Sequence, residues 1–184
     1  MDGRERGQEL WVFGYGSLMW RPGFDYLERQ PARLAGYHRA LCVLSHVHRG
    51  TPERPGLVLG LDRGGSCRGV AFRVAAEAAE ATRAYLQARE QVTAVYVDRV
   101  LEIGLADGRR VSALTYLVDR AHPQYAGRLG DEELLRLVRQ GLGVSGANPD
   151  YVRATSDHLV GMGVVDPTLA RLVARLGLPA TTPV

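Results

Sequence analysis

Apolar residues follow several rhythms along this chain of 184 residues. "LWVF" (Leu10 to Phe13) is an unbroken apolar run of strand length that stops at "GYGSLMW". "ARLAGYHRALCVLSHV" (32–47) has the look of an extended β segment, with a bulge expected at Gly36, and "HRGTPERPG" (48–56) interrupts it as a Pro/Gly loop. "LVLGL" (57–61) and "CRGVAFRV" (67–74) read as two strands joined hairpin-fashion through Asp62-Arg63-Gly64-Gly65. "AAEAAEATRAYLQAREQ" (75–91) is helical on propensity. "AVYVDRVLEIGLADGRRVSALTYLV" (94–118) predicts a long hairpin that turns at Asp107-Gly108.

After residue 118 the pattern changes. "DEELLRLVRQGL" (131–142) opens with acidic residues, as the positive end of a helix dipole favours. "NPDYVRATSDHLVGMG" (148–163) and "DPTLARLVARLG" (166–177) each begin with a capping residue followed by proline at the first helical position. Strands, one helix, a hairpin and then three helices make an α+β chain with an antiparallel or barrel-like sheet, not an alternating doubly wound one. Residues 1–9 read as a flexible N-terminal segment, 10–178 as a single domain and 179–184 as a tail.

Composition narrows the function classes. An apolar share of 46% with 23% charged residues is that of a globular protein with a real core. No apolar run approaches the ~20 residues that span a bilayer, so no membrane partner is expected. The start, "MDGRERGQE", lacks the apolar region of a secretion signal, and a cytoplasmic location is expected. Cys42 and Cys67 are too few for a disulfide framework. All 23 basic residues are arginine, and they are scattered rather than gathered on one face, which argues against a nucleic-acid partner. The oligomeric state is not legible.

Candidate chemistry is sparse. His46 and His48 share a strand face but lack a third ligand nearby, so no metal site is expected. The glycines around Tyr15 fit neither a dinucleotide fingerprint, since Met19 stands where the third glycine belongs, nor a nucleophile elbow at Ser17. Two readings are open for "GYGS": a backbone cradle whose N–H groups hold an anion, or a tight connection that packs Tyr15, Leu18 and Trp20 into a core. On a wheel of the 75–91 helix, Ala78, Ala81, Tyr85 and Ala88 form an apolar stripe that contains Arg89, with Glu90 at its flank beside Leu86. A carboxylate at the negative end of a helix and near its buried side should have a raised pKa, which suits a general base. The competing reading is a structural Arg89–Glu90 pair.

The ordered motifs "VFGYGSLMW", "HRGTPERPGLVLGL", "CRGVAFRV", "YLQAREQ" and "GVSGANPDY" resemble the ChaC-like γ-glutamylcyclotransferases, from about Leu10 to Met162. The resemblance implies a small mixed or antiparallel β-barrel flanked by helices. It also implies cyclisation of glutathione to 5-oxoproline and cysteinylglycine without a cofactor. Carried onto this sequence, the glycine loop is Tyr15, Gly16, Ser17 and Leu18, the proton carrier is Glu90, and Tyr151 contacts the substrate. Arg39 opens the long β segment, although Ala40-Leu41 follow where the family often has an aromatic. A cyclotransferase for other γ-glutamyl peptides or amines would use the same loop and base. A non-catalytic binding module would need no Glu90.

Overall fold

The computed structural model describes residues 7–90 and 92–178. The residues expected to form a tail, 179–184, and most of the N-terminal segment lie outside the described residues, as does Gln91 at the expected end of the helix. The chain forms two compact units. One holds the described residues up to Ala40 and Gly60–Asp119; the other holds Leu41–Leu59 and the described residues from Arg120.

The strands β1 (Leu10–Gly14), β2 (Glu28–Ser45), β3 (Gly56–Val74), β4 (Tyr96–Leu105) and β5 (Arg110–Val118) close into a barrel in the order β1-β3-β2-β4-β5. β1 lies antiparallel to β3, from Leu10↔Val74 to Gly14↔Val70, and parallel to β5 through Trp11↔Ala113 and Val12↔Leu114. The sheet is thus mixed, as the resemblance implies. Every residue of β1 is buried, which explains why its sequence is a continuous apolar run rather than an alternation. Val12, Phe13, Leu61, Phe72, Leu86 and Ile103 fill the first unit's core. Each such side chain contributes roughly 1.5–3 kcal/mol on leaving water.

One expected turn is not a turn. Asp62-Arg63-Gly64-Gly65 lies inside a single continuous β3. Its turn chemistry is present: Arg63 N–H donates to Asp62 Oδ1 at 2.8 Å, and Gly64 and Gly65 have φ of +103° and +67°. Neighbouring β2 absorbs the irregularity, since a His38 ring nitrogen meets the Gly64 carbonyl at 3.0 Å, so the strand bends instead of reversing. β2 likewise starts earlier than expected, taking in Glu28 to Pro31. The hairpin at Asp107-Gly108 forms as read, with φ +91° at Gly108.

Helix α1 spans Ala79–Glu90 after a 3-10 turn at Ala76–Ala78. Its buried residues are Thr82 and Leu86, while Ala81, Tyr85 and Ala88 face solvent. The alanine stripe is therefore not the core face: alanine favours a helix anywhere, and its burial contributes little. The inner line runs 82, 86, 90, which moves Glu90 from the flank onto it.

The second unit packs α2 (Asp131–Gln140), α3 (Asn148–Gly161) and α4 (Pro167–Arg175) around Val138, Val152, Leu159, Leu169 and Leu172, with the short pair β6 (Leu142–Gly143) and β7 (Gly146–Ala147). Asp166 caps α4 through Thr168 and Leu169 N–H. Asn148 does not cap α3, contrary to its position before proline; Ala147 is the cap residue and the Asn148 side chain turns inward. Its Oδ1 accepts from Leu57 N–H at 2.7 Å and its Nδ2 donates to Leu57 carbonyl at 2.8 Å, so a side-chain amide pairs the β3 backbone as another strand would. Glycine makes room for it: a Cβ on Gly56 would come within 2.8 Å of Asn148 Oδ1, and one on Gly141 within 2.8 Å of Asn148 Cβ. Among the described residues no helix is long and apolar enough to cross a membrane.

Candidate functional site

The glycine loop leaves β1 and tightens at once into a 3-10 turn, Ser17–Met19. The packing reading holds for Tyr15 and Leu18 but not for Trp20, which is only half-buried; Met19 takes its place in the core. Tyr15, Leu18 and Met19 are buried and anchor it, while Gly16 and Ser17 are half-exposed. Gly14 and Gly16 do not supply positive φ; at Gly16 φ is −128°. Gly14 serves close packing instead, because a Cβ there would sit 3.0 Å from Leu18 Cβ.

Within the turn, Met19 N–H donates to Gly16 carbonyl at 2.9 Å and Arg21 N–H to Ser17 carbonyl at 2.7 Å. The N–H groups of Gly16, Ser17 and Leu18 meet no protein acceptor among the described residues. Arginines hold the carbonyls at the start of the loop and beyond its end. Arg39 on β2 donates through Nε to Tyr15 carbonyl at 2.6 Å and through Nη2 to Arg68 carbonyl at 2.7 Å. Arg29 reaches Met19 carbonyl at 3.3 Å, and Arg89 reaches Arg21 carbonyl at 2.8 Å. With the Tyr15 carbonyl held by Arg39 and those of Gly16 and Ser17 by the turn's own N–H groups, the loop can present its remaining N–H groups to an incoming negative or carbonyl oxygen.

Arg89 also donates to Ser17 Oγ at 2.8 Å. The expected alternative, a structural Arg89–Glu90 ion pair, does not form among the described residues, because Arg89 is spent on the loop. Glu90 is half-buried at the C-terminus of α1, and burial pushes its carboxyl above the ordinary carboxylate value, with the Arg89 charge opposing. The direction matches the sequence reading, with burial as the main cause.

Sequence reasoning missed one neighbour. Tyr116 on β5 is buried, and its hydroxyl is pushed up to about 12, first by burial, then by the charges of Glu90 and Asp98, with Arg83 opposing. It is a neutral O–H donor at any ordinary pH, within the field of Glu90. Its only sequence signal is a hydroxyl-bearing aromatic in the mostly apolar run "ALTYLV".

Tyr151 belongs to the second unit. Its hydroxyl accepts from Leu59 N–H at 3.1 Å, and the Arg49 guanidinium lies 5.3 Å from its ring centre. Arg49 further donates to Ala147 carbonyl at 3.2 Å. Among the described residues no group of three or more His, Cys, Asp or Glu side chains could hold a metal ion, and His48 instead meets Ser145 Oγ at 2.9 Å.

A model of the family described as ChaC-like protein matches residues 10–177. A glutathione-specific γ-glutamylcyclotransferase of Escherichia coli (strain K12) is 35% identical over 164 residues, covering 89% of this chain and 71% of that protein. Glutathione-specific γ-glutamylcyclotransferase 1 of Homo sapiens is 33% identical over 184 residues, 96% of this chain and 83% of the relative. Among solved structures, a γ-glutamyl cyclotransferase specific to glutathione from yeast has the same fold, with a TM-score of 0.82 at 23% identity over 92% of this chain and 96% of the yeast chain.

Proposed function

This chain belongs to the ChaC-like protein family, and from that premise we propose that it cyclises the γ-glutamyl group of glutathione, releasing 5-oxoproline and cysteinylglycine. The reaction is an intramolecular aminolysis. The α-amino nitrogen attacks its own γ-carbonyl, a five-membered lactam closes, and the bond to the cysteinyl nitrogen breaks. One proton leaves the amine and one reaches the departing nitrogen, so the balance needs neither water nor a protein nucleophile. The enzyme has two tasks: to fold a flexible glutamyl chain into its attacking shape, and to move a proton from an amine whose pKa is about 8.

The observation that carries this reading is the Glu90 carboxyl, on the inner line of α1, raised by burial and free of an ion pair among the described residues. A carboxylate made more basic accepts the amine proton more readily and returns it to the leaving nitrogen. The free N–H groups of Gly16, Ser17 and Leu18 would receive the substrate's α-carboxylate or the oxyanion formed at the γ-carbon. Arg39 would act from behind, fixing the Tyr15 carbonyl and with it the direction of the loop. Among the described residues neither Cys42 nor Cys67 is in a disulfide, and both are buried, which supports a cytoplasmic location.

The test is to incubate the purified protein with glutathione, γ-glutamylalanine and a simple γ-glutamyl amine, following 5-oxoproline by mass spectrometry. Glutathione should be turned over fastest. Equal turnover of all three would make the enzyme a general γ-glutamyl cyclotransferase.

Ser17→Ala should lower turnover by no more than about tenfold to a hundredfold, because the hydrogen bond from the charged Arg89 guanidinium, about 1.5–3 kcal/mol, is lost. A loss of about 10⁴-fold or more, with an acyl-enzyme trapped on Ser17, would instead mark it as a nucleophile.

The assignment of Tyr151 to substrate contact rests on the resemblance. Tyr151→Phe should raise KM several-fold. It should also lower the melting temperature by a few degrees, because Leu59 N–H loses an acceptor. An unchanged KM with the same thermal loss would leave Tyr151 a purely structural residue.

A further inference from the structure

Arg89 makes a set of contacts that the reaction so far does not use. Its Nη2 donates to Ser17 Oγ at 2.8 Å; its Nη1 donates to Arg21 carbonyl at 2.8 Å, Tyr85 hydroxyl at 3.2 Å and Pro22 carbonyl at 3.4 Å. All four acceptors are neutral, and no carboxylate pairs with this guanidinium among the described residues. Three of them belong to the glycine loop and its exit; the fourth stands one turn earlier on α1 itself. Arg89 is therefore the tie between the segment that would grip the glutamyl group and the helix turn that carries Glu90.

We propose that Arg89 is a positioning residue: its forked guanidinium ties the glycine loop and its exit to the last turn of α1, and so sets how that loop stands relative to the Glu90 carboxylate. The inference rests on the reading of Glu90 as proton carrier given above.

Two consequences follow from the geometry. First, Ser17 Oγ accepts from Arg89, so the serine hydroxyl keeps its proton to donate toward the bound group. A planar fork with two donor nitrogens holds Ser17 and Arg21 at once, which a lysine ammonium on a flexible stem does less rigidly. Second, the Arg89 charge acts on Glu90. The ionisable groups around that carboxylate are Arg89 on its own helix and Tyr116 on β5, with Arg83 and Asp98 acting on Tyr116 in turn. Arg89 holds the Glu90 carboxyl down against the burial that raises it. Without that charge, Glu90 stays protonated to higher pH and is a base over a narrower range.

The experiment compares wild type, Arg89→Met and Arg89→Lys by the pH dependence of kcat/KM for glutathione, with folding checked by circular dichroism. Arg89→Met should lose about 10²-fold in kcat/KM, as misplacement of reacting groups by about 1 Å does. Its acidic limb should also move to higher pH. Arg89→Lys should restore the acidic limb to the wild-type position, since the charge returns, while recovering only part of kcat. A folded Arg89→Met with kcat/KM within twofold and an unmoved limb overturns the inference. So does an Arg89→Lys enzyme whose limb stays with Arg89→Met, and this variant decides the matter if Arg89→Met does not fold. A wild-type protein that forms no 5-oxoproline overturns the underlying reading as well, which separates the two failures.

Discussion

Glu90→Gln is expected to lower the turnover of glutathione by roughly 10²–10⁴-fold while leaving its binding and the fold intact. Glutamine keeps the size and hydrogen-bonding capacity of the side chain but cannot accept the amine proton. Binding should survive because the loop N–H groups, not Glu90, face the glutamyl carboxylate in the proposed geometry. The same substitution has a second, independent signature in stability. The folded protein holds the Glu90 carboxyl above its ordinary value of 4.5, because burial disfavours the charged form. The folded state thus binds the proton more tightly than the unfolded chain does. That preference is fully present below the ordinary carboxylate range and is lost as pH rises through the raised value. At neutral pH the charge is a liability, so Glu90→Gln should melt at a slightly higher temperature than wild type. The advantage should fade toward pH 4. Thermal melts of both proteins at pH 7.5 and pH 4 check the sign; a Glu90→Gln protein less stable than wild type at pH 7.5 would favour a structural role for the carboxylate.

The second large effect belongs to Asn148. Its buried amide bonds both the N–H and the carbonyl of Leu57, which is itself fully buried. Asn148→Leu fits the volume but orphans both backbone groups, at about 1–3 kcal/mol each. For a chain of this size that amounts to a drop of roughly 5–20 °C in melting temperature. Asn148→Asp should not rescue it, because the carboxylate returns an acceptor for Leu57 N–H but none of the donors its carbonyl needs. A melting temperature within 2 °C of wild type for Asn148→Leu would mean that water or a local shift satisfies Leu57 instead.

Which parts of this were legible in the sequence follows from which signals are local. Strand β1, the Asp107-Gly108 hairpin and the Asp166 cap were readable because a few adjacent residues determine them. The barrel's closure by parallel β1 and β5 was not, since pairing between residues about a hundred positions apart leaves no local trace. Local turn chemistry at Asp62–Gly65 was read correctly and still misled, because the same residues that reverse a chain can bulge a strand held by its neighbour. Asn148 misled in the same way: a good capping residue found a stronger use across the fold. At the site, the Tyr15–Leu18 loop and Glu90 were visible through motif order, yet the helix face was misjudged because alanines were counted as core. Arg89 was read only against its neighbour in sequence, Glu90, whereas its partners lie about 70 positions away in the loop. Tyr116 was hidden because it sits in an unbroken buried run of β5, Ala113 to Tyr116, where an aromatic reads as core.

The central claim is that Glu90 drives an intramolecular lactam closure in which no water enters the product. It is tested most directly by running the reaction with glutathione in ¹⁸O-labelled water and analysing the products by mass spectrometry. The account predicts unlabelled 5-oxoproline and cysteinylglycine in equal amounts from wild type, and almost none from a folded Glu90→Gln protein. Labelled free glutamate as the primary product, or Glu90→Gln turnover close to wild type, would contradict it.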